Sequence, residues 1–238
     1  MATADPARTR RTAKGEKSGK RIESLLATAR DVFAEKGYER ATTLEIAHRL
    51  EISEATVFTY FGSKRELCIE VIRRWYDEIS TELERELPLL NGLRLQLQFA
   101  VRKHLITLMG ERAGLCAMIL SDGRTAGTAD TALADLIADC KRRYTAPLMR
   151  ALEAGRASGE VRDDIPLRLF RDMVYGAMEH VLWDSMATGR KPDIERTAEQ
   201  LSEMLWSAFM PADASLRALN QFRSEVGSAL RRLETPGD

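Results

Sequence analysis

Residues 51–64 read "EISEATVFTYFGSK" and combine a short apolar segment with small outward side chains and a basic end. Ser53 is positioned to cap a helix from Glu54 to about Tyr60, since a serine hydroxyl accepts a hydrogen bond from the first helical turn. A helix this short is marginal alone and needs other helices to pack against. The segment therefore predicts a small helical bundle in the first part of the chain.

The residues before this helix predict its two partners. "ATTLEIAHRL" at 41–50 predicts a helix from Thr43 to Leu50, capped by Thr42, with Glu45 reaching back to complete a capping box. Apolar residues at helical spacing predict a longer helix that starts at Arg21 and is ended by Gly37. Two short helices with a very short connection, braced by a third, describe a helix-turn-helix, whose second short helix enters the DNA major groove.

The outward residues of the second short helix suit contact with base edges. Val57 and Phe61 face the bundle, which leaves small side chains outside, where threonine can donate, accept or touch a thymine methyl. The residues predicted to read bases are Glu54, Ala55, Thr56 and Thr59. Glu54 has two possible roles: it can accept from a cytosine amino group, or only favour the positive end of its own helix. The residues suited to phosphate oxygens are Tyr60, Ser63 and Lys64.

Charge is unevenly distributed although the formal net charge of the 238 residues is zero. Through Trp75 there are 15 Lys and Arg against 11 Asp and Glu, and the remainder is correspondingly acidic. This predicts a basic end that meets a polyanion. Residues 1–20 contain few large apolar side chains and predict a flexible basic arm. The arm either adds phosphate or minor-groove contacts or is only a solvated tail.

Several classes of protein and site are not supported. The three cysteines are widely spaced, without metal-ligand spacing, so neither a disulfide framework nor a metal site is expected. There is no signal-peptide pattern and no long apolar run, which predicts a cytoplasmic protein. No nucleophile elbow, P-loop, dinucleotide fingerprint or zinc-protease motif is present, so no catalytic residue, cofactor or enzyme activity is expected.

Beyond Ser63 the predicted helices are longer and form a second domain. Their predicted ranges are 63 or 64 to 87, 93–109, 115–120, 131–154 with a kink at Pro147, 166–186, 193–209 and 212–233. The sequence thus predicts an all-α chain in three parts. These are the flexible arm over 1–20, the helix-turn-helix DNA-binding domain over 21–67 and a larger helical domain over 68–238.

Residues 22–67 resemble the DNA-binding domain of the TetR/AcrR family of bacterial transcription regulators. The resemblance rests on A-x-x-x-F-A-x-x-G-Y at the end of the first helix, T-x-x-x-I-A at the start of the second, and I-S-x-x-T-V-F-x-Y-F-x-S-K. It implies phosphate contacts at Thr42, Tyr60 and Lys64 and base contacts at Ala55, Thr56 and Thr59.

The sequence departs from the family pattern at two positions. Glu51 stands in the turn where the family usually has glycine, so either Glu51 adopts a positive φ at some cost or the turn differs locally. Phe58 stands where the family usually has tyrosine. Because Phe58 lacks the hydroxyl that would bind a phosphate, we assign it to packing.

The resemblance also implies that the larger domain binds a small molecule between its helices and dimerises through two late helices. The residues predicted to line the pocket are Trp75, Phe99, His104, Met118, Tyr144, Tyr175, Met178, Glu179, His180 and Trp183, although aromatic and methionine residues at helical spacing are often core. The helices at 166–186 and 193–209 are the predicted dimer interface, with apolar faces that could equally be monomer core. Their apolar residues are Leu169, Met173, Ala177, Val181 and Trp183, then Leu201, Met204, Leu205 and Phe209.

These observations predict a ligand-responsive homodimeric regulator, with a repressor role favoured. It would bind double-stranded, pseudo-palindromic operator DNA and be released by a small hydrophobic or acyl-bearing effector. A movement of the long helix after Ser63 would couple the two sites, as the family resemblance implies. The alternative is a helical small-molecule-binding protein or enzyme whose helix-turn-helix no longer binds DNA.

Overall fold

The computed structural model describes residues 6–110, 113–125, 131–211, 219 and 221–226. Within these ranges the regular structure is helical, which confirms the all-α prediction. The helices are α1 (Pro6–Arg40), α2 (Thr43–Arg49), α3 (Glu54–Tyr60), α4 (Lys64–Glu86), α5 (Leu93–Met109), α6 (Ala113–Thr125), α7 (Thr131–Ala157), α8 (Leu167–Thr188) and α9 (Ile194–Phe209). A single 3₁₀ turn, Leu87–Leu89, follows α4, with Pro88 inside it.

The first three helices form a bundle around one apolar core. Leu25, Ala29 and Phe33 of α1 are fully buried against Ile46 of α2 and Val57 of α3. Their helical spacing on α1 places them on one face, as the sequence predicted. Burial of this face supplies the stability that α2 and α3, at seven residues each, lack by themselves.

The larger domain is built on α4, which starts in the bundle and continues into the second core. α4 packs on α7 and α1, α5 packs on α9, and α6 packs on α1 and α7. Phe170 of α8 and Phe209 of α9 are fully buried and their rings lie 4.5 Å apart. In the described part of the chain, no helix is long and apolar enough to cross a membrane.

The structure differs from the predicted flexible arm, because the backbone of residues 6–20 continues α1. Extending an existing helix is cheaper than starting one, and the lysine, arginine and alanine residues here are good helix formers. Gly37 interrupts α1 with φ +72° and ψ 171°, as its predicted role in ending the helix requires. Three residues beyond it are still counted in α1.

Two further helix ranges differ from the sequence prediction. α6 begins two residues earlier than predicted and continues to Thr125, into the segment predicted as a loop, and α7 continues to Ala157. Packing of α6 against α1 and α7 stabilises residues whose own propensity favours a turn. The predicted last helix, 212–233, lies mostly outside the described residues; residues 219 and 221–226 are helical.

Candidate DNA interface and effector cavity

Helix α3 presents its small residues to solvent. Its cap is as predicted, since Ser53 Oγ accepts from the backbone N–H of Thr56 at 3.2 Å. Ala55 and Thr59 are exposed and Thr56 is half-buried. The Thr59 hydroxyl donates to the backbone oxygen of Ala55 at 3.0 Å, and Thr56 Oγ1 lies 2.8 Å from Ser53 Oγ. Both threonine hydroxyls are thus held locally, and their methyl groups and remaining lone pairs are what a base edge would meet.

Glu54 is tied to helix α2. The buried Thr43 donates its hydroxyl to Glu54 Oε1 at 2.5 Å, joining the first turns of α2 and α3. This contact fixes the angle between the two short helices. It also occupies one carboxylate oxygen of a residue predicted to read bases, which favours the alternative in which Glu54 serves its own helix.

The residues predicted to bind phosphates lie at helix ends around α3. Thr42 caps α2 by accepting from Glu45 N at 3.2 Å, and Ser63 caps α4 by accepting from Glu66 N at 3.1 Å. Both caps are exposed at the positive ends of their helices, and Tyr60 is half-buried beside them. The predicted capping box of α2 is only half formed, because the carboxylate of Glu45 binds Lys36 and Arg49 instead.

Lys64 contacts backbone oxygens of the chain itself, which the sequence did not predict. Its Nζ donates to the backbone oxygens of Tyr38 at 2.9 Å, Ala41 at 3.1 Å and Glu39 at 3.4 Å, and it lies 4.3 Å from the centroid of the Tyr38 ring. An ammonium has three donors, and all three are directed to the chain that leaves α1 after Gly37. The geometry supports a role as the cap of α1, which a phosphate contact would have to replace.

Glu51 and Phe58 are the two departures from the family pattern. Glu51 has φ +53° and is the only non-glycine residue with positive φ in the described ranges. The first of the two alternatives for this turn is therefore correct, and the backbone cost is retained. Phe58 is 46% exposed, so its assignment to packing is wrong. It lies on the solvent side of α3, where a phenyl ring can contact a thymine methyl.

Ion pairs fasten α2 to α1 beside this surface. Arg49 binds both carboxylate oxygens of Glu35, at 2.8 and 2.6 Å, and also contacts Glu45, which binds Lys36 at 2.6 Å. The hydrogen bond from Arg49 lowers the pKa of Glu35, and the hydrogen bonds from Lys36 and Arg49 lower the pKa of Glu45. Both carboxylates therefore stay charged to a lower pH than an unpaired glutamate.

The larger domain contains a cavity of about 520 Å³ between α4, α5, α6, α7 and α8. Its wall is mostly apolar and aromatic, and it includes Trp75 and Tyr76 of α4 and Cys116 and Ile119 of α6. Such a size and lining are typical of a small-molecule site.

A buried polar cluster forms part of the wall. His104 Nδ1 lies 3.0 Å from the hydroxyl of Tyr144, and the ring of Tyr175 packs edge-on against His104 at 5.0 Å. Burial lowers the pKa of His104 to about 3, so its imidazole is neutral at physiological pH. Burial likewise raises the pKa of Tyr144 and of Tyr175, so both phenols keep their protons.

The cavity also has a charged margin. Lys141 and Arg142 of α7 and Arg171 of α8 line it together with Asp172 and Glu179. Lys141 lies 3.8 Å from Glu179, while Arg171 pairs with Asp172 at 2.8 Å. Arg142 pairs with Asp139 of its own helix at 2.8 Å, so the margin presents three cationic groups, each beside a carboxylate.

Five of the predicted pocket residues line this cavity, namely Trp75, His104, Tyr144, Tyr175 and Glu179. The others lie outside the wall formed by the described residues: Met118 and Met178 are buried core, Phe99 and Trp183 are half-buried, and His180 is exposed. The sequence prediction missed the cationic residues. A helical spacing signal was available, because Lys141 precedes Tyr144 by three residues and Arg171 precedes Tyr175 by four.

An exposed helix-turn-helix, continuous through α4 with a helical domain that encloses an apolar cavity, defines a ligand-responsive DNA-binding transcriptional regulator. Residues 25–71 match the family description "Bacterial regulatory proteins, tetR family", and residues 73–208 match "YsiA-like protein, C-terminal region". The second match alone covers more than half of the chain. The chain belongs to the TetR family of bacterial regulators.

Known relatives and structures agree with this assignment. The chain is 22% identical over 183 residues to the "Fatty acid metabolism regulator protein" of Bacillus subtilis, covering 77% of this chain and 92% of that protein. The fold is shared with the regulator FadR from Bacillus subtilis in complex with stearoyl-CoA, at TM-score 0.68, 21% identity and coverage of 78% and 97%. A transcriptional regulator from Saccharomonospora viridis in complex with choline also has TM-score 0.68 and 21% identity, with coverage of 79% and 96%.

Proposed function

We propose that this chain is a cytoplasmic homodimeric repressor that leaves its operator when a fatty acyl-coenzyme A thioester occupies the cavity. The observation that carries the proposal is the combination of an apolar cavity of about 520 Å³ with a margin that contains Lys141, Arg142 and Arg171. An acyl chain suits the apolar interior, and the phosphates of coenzyme A suit guanidinium and ammonium groups.

The charge at the margin argues against a cationic effector. Four aromatic rings line the cavity, those of Trp75, Tyr76, Tyr144 and Tyr175, and aromatic rings can bind a quaternary ammonium group such as that of choline. The ammonium and guanidinium groups of Lys141, Arg142 and Arg171 at the margin disfavour entry of such a ligand. Two of the three named relatives support the same choice, because one regulates fatty acid metabolism and another binds stearoyl-CoA, while the third binds choline.

Two helices connect the cavity with the DNA-binding bundle. α4 contributes Trp75 to the cavity wall and begins at Lys64 in the bundle. α6 contributes Cys116 to the wall, and near its start Gly114 packs directly on α1, where a Cβ would come within 1.9 Å of the backbone oxygen of Ala34. A ligand that separates α4 and α6 therefore moves α1, and with it the orientation of α3. Coupling of this kind is reciprocal, so operator DNA should also weaken acyl-CoA binding.

For the dimer we propose the outer faces of α8 and α9. Leu169 of α8 is 47% exposed and Met204 of α9 is 70% exposed, which is unusual for large apolar residues. Leu205 and Phe209 do not belong to this face, because both are buried in the monomer core. A two-fold pairing would present two α3 helices to half-sites one DNA turn apart.

For DNA contacts we propose that Ala55, Thr56 and Thr59 read bases while the helix ends at Thr42 and Ser63, with Tyr60, bind phosphates. Their support is the common exposed surface around α3. Glu54 contributes by setting the angle of α3 through Thr43 and reads a base only with its second carboxylate oxygen.

The test begins with selection of bound duplexes from a random DNA library by the purified full chain. The selected duplex is labelled, and its release is followed by fluorescence anisotropy as palmitoyl-CoA, palmitate, coenzyme A or choline is added. Palmitoyl-CoA should release the DNA at the lowest concentration and should be recovered unchanged, because the chain is proposed to bind it without catalysis. Sedimentation of the complex gives the number of subunits.

Arg142→Glu tests whether the cavity margin binds the phosphates of coenzyme A. It reverses one charge at the cavity margin, far from α3, and should weaken release by palmitoyl-CoA while leaving operator affinity intact. Release by choline alone, or equal potency of palmitoyl-CoA on both proteins, would reject the acyl-CoA proposal. Repression is tested with a reporter gene behind the selected operator, where activation instead of repression would reject that part.

A further inference from the structure

Two buried polar atoms in the cavity wall lack partners. Among the described residues, neither His104 Nε2 nor the hydroxyl of Tyr175 has a hydrogen-bond partner. Both residues are about nine-tenths buried or more, since 9% of His104 and 7% of Tyr175 is exposed. Buried polar groups are nearly always hydrogen-bonded, so two exceptions in contact with each other beside one cavity require an explanation.

His104 Nε2 and the Tyr175 hydroxyl both act as hydrogen-bond donors. His104 is neutral, so only one of its ring nitrogens carries a hydrogen. The protonated phenol of Tyr144 can place its hydrogen on His104 Nδ1, 3.0 Å away. The imidazole hydrogen is then on Nε2. Tyr175 also keeps its phenolic hydrogen. The cavity wall therefore holds an N–H and an O–H donor without acceptors.

No hydrogen bond joins these two donors to another described residue of the wall. The ring of Tyr144 lies 5.5 Å from His104 and 6.0 Å from Tyr175, and the cavity wall also contains apolar residues such as Leu108 and Ile119. A saturated hydrocarbon in the cavity would leave both donors unpaired, whereas a carbonyl oxygen accepts two hydrogen bonds.

We infer that His104 and Tyr175 are specificity residues that donate hydrogen bonds to a carbonyl oxygen of the effector. Because both atoms are covered by protein, their side chains turn toward the cavity as the ligand enters. Only the identity of the effector rests on the proposed acyl-CoA function. The recognition of a buried carbonyl holds for any acyl ligand, whether the oxygen belongs to a thioester or to an ester.

The experiment uses two ligand pairs that differ by one oxygen. Palmitoyl-CoA is compared with its thioether S-hexadecyl-CoA, and methyl dodecanoate with methyl dodecyl ether. Affinity for the full chain is measured from intrinsic fluorescence, since Trp75 lines the cavity. Wild type should bind the carbonyl member of each pair about tenfold more tightly, since two hydrogen bonds near the low end of their usual net contribution give about threefold each.

Tyr175→Phe removes one of the two donors and should reduce the preference from about tenfold to about threefold, mainly by weakening the carbonyl ligand. The matched control is Tyr76→Phe, which makes the same chemical change in the same cavity. It should keep the tenfold preference. A purely structural role of Tyr175 would weaken both members of each pair equally and leave their ratio unchanged, which would overturn the inference.

The outcomes separate the two proposals. If palmitoyl-CoA and its thioether bind equally in wild type, the carbonyl inference fails while the acyl-CoA proposal stands. If neither coenzyme A ligand binds, but the ester is preferred over the ether in a Tyr175-dependent way, the acyl-CoA proposal fails and the inference stands. If Tyr76→Phe also loses the preference, the effect is not specific to Tyr175 and the inference about these residues is wrong.

Discussion

Substitution of Lys64 by methionine separates two roles for one residue. The variant keeps the aliphatic stem and removes the ammonium, which donates to the backbone oxygens of Tyr38, Ala41 and Glu39. Two of these bonds, at 2.9 and 3.1 Å, are well within hydrogen-bond range, and the third, at 3.4 Å, is long. Because Lys64 is half-buried, we use the low end for charged hydrogen bonds and expect a loss of about 2 kcal/mol.

The assay is amide hydrogen exchange across α1, α2 and α3 in the absence of DNA. A loss of about 2 kcal/mol in local stability corresponds to exchange about 30-fold faster. Lys64→Arg, which keeps the charge, should recover part of the protection. Arg21→Met is the control, because it removes a positive charge from an exposed position on α1.

The same variant tests the phosphate role that the sequence predicted. A lost phosphate contact lowers the slope of operator affinity against salt by about 0.9. Unchanged exchange together with that lower slope would refute the capping role and restore the phosphate contact. Faster exchange with an unchanged slope would assign Lys64 to the end of α1.

Three further substitutions test local features of the structure. Glu51→Gly should raise the free energy of unfolding by about 0.5 kcal/mol, because relief of the positive φ exceeds the entropy that glycine adds to the unfolded chain. Gly114→Ala should lower the free energy of unfolding by about 2 kcal/mol, because α6 must move away from Ala34. Glu45→Gln should make stability less sensitive to acid, measured as the change in urea midpoint between about pH 6 and about pH 3.

The sign of the pH effect follows from the pKa of Glu45. Its pKa is lowered in the folded chain, so its contribution is complete above the ordinary glutamate value of about 4.3 and is lost as pH falls through the folded value. If the urea midpoint falls equally with acid in wild type and in Glu45→Gln, Glu45 makes no such contribution to stability. The control for Glu51→Gly is Glu51→Ala, which keeps a Cβ and should not stabilise the fold. The control for Gly114→Ala is Gly176→Ala, which should be tolerated because a Cβ at Gly176 meets open space. Stabilisation by Glu51→Ala would contradict the role of the positive φ. Equal losses of unfolding free energy from Gly114→Ala and Gly176→Ala would contradict the role of the contact with Ala34.

Local sequence signals predicted most helices near α3 and several beyond it. The serine cap at 53 and the glycine at 37 lie where predicted, α4 begins at Lys64, one of its two predicted starts, and the range of α5 agrees with its prediction. These features depend on hydrogen bonds and backbone preferences within a few residues, which a sequence displays directly. The arm over residues 6–20 was mispredicted because its helix propensity matters only once α1 has formed behind it.

The sequence by itself determined the all-α class and the helix-turn-helix, and it named several of the aromatic residues that line the cavity. Only the tertiary structure decided which partner each polar group receives. Lys64 reaches backbone oxygens more than 20 residues earlier in the chain, and Thr43 and Glu54 meet across the turn. Likewise, the cations of α7 and α8 join one cavity margin only because their helices pack together. Spacing along a chain fixes which side chains share a helix face, but contacts between faces depend on how separate helices pack.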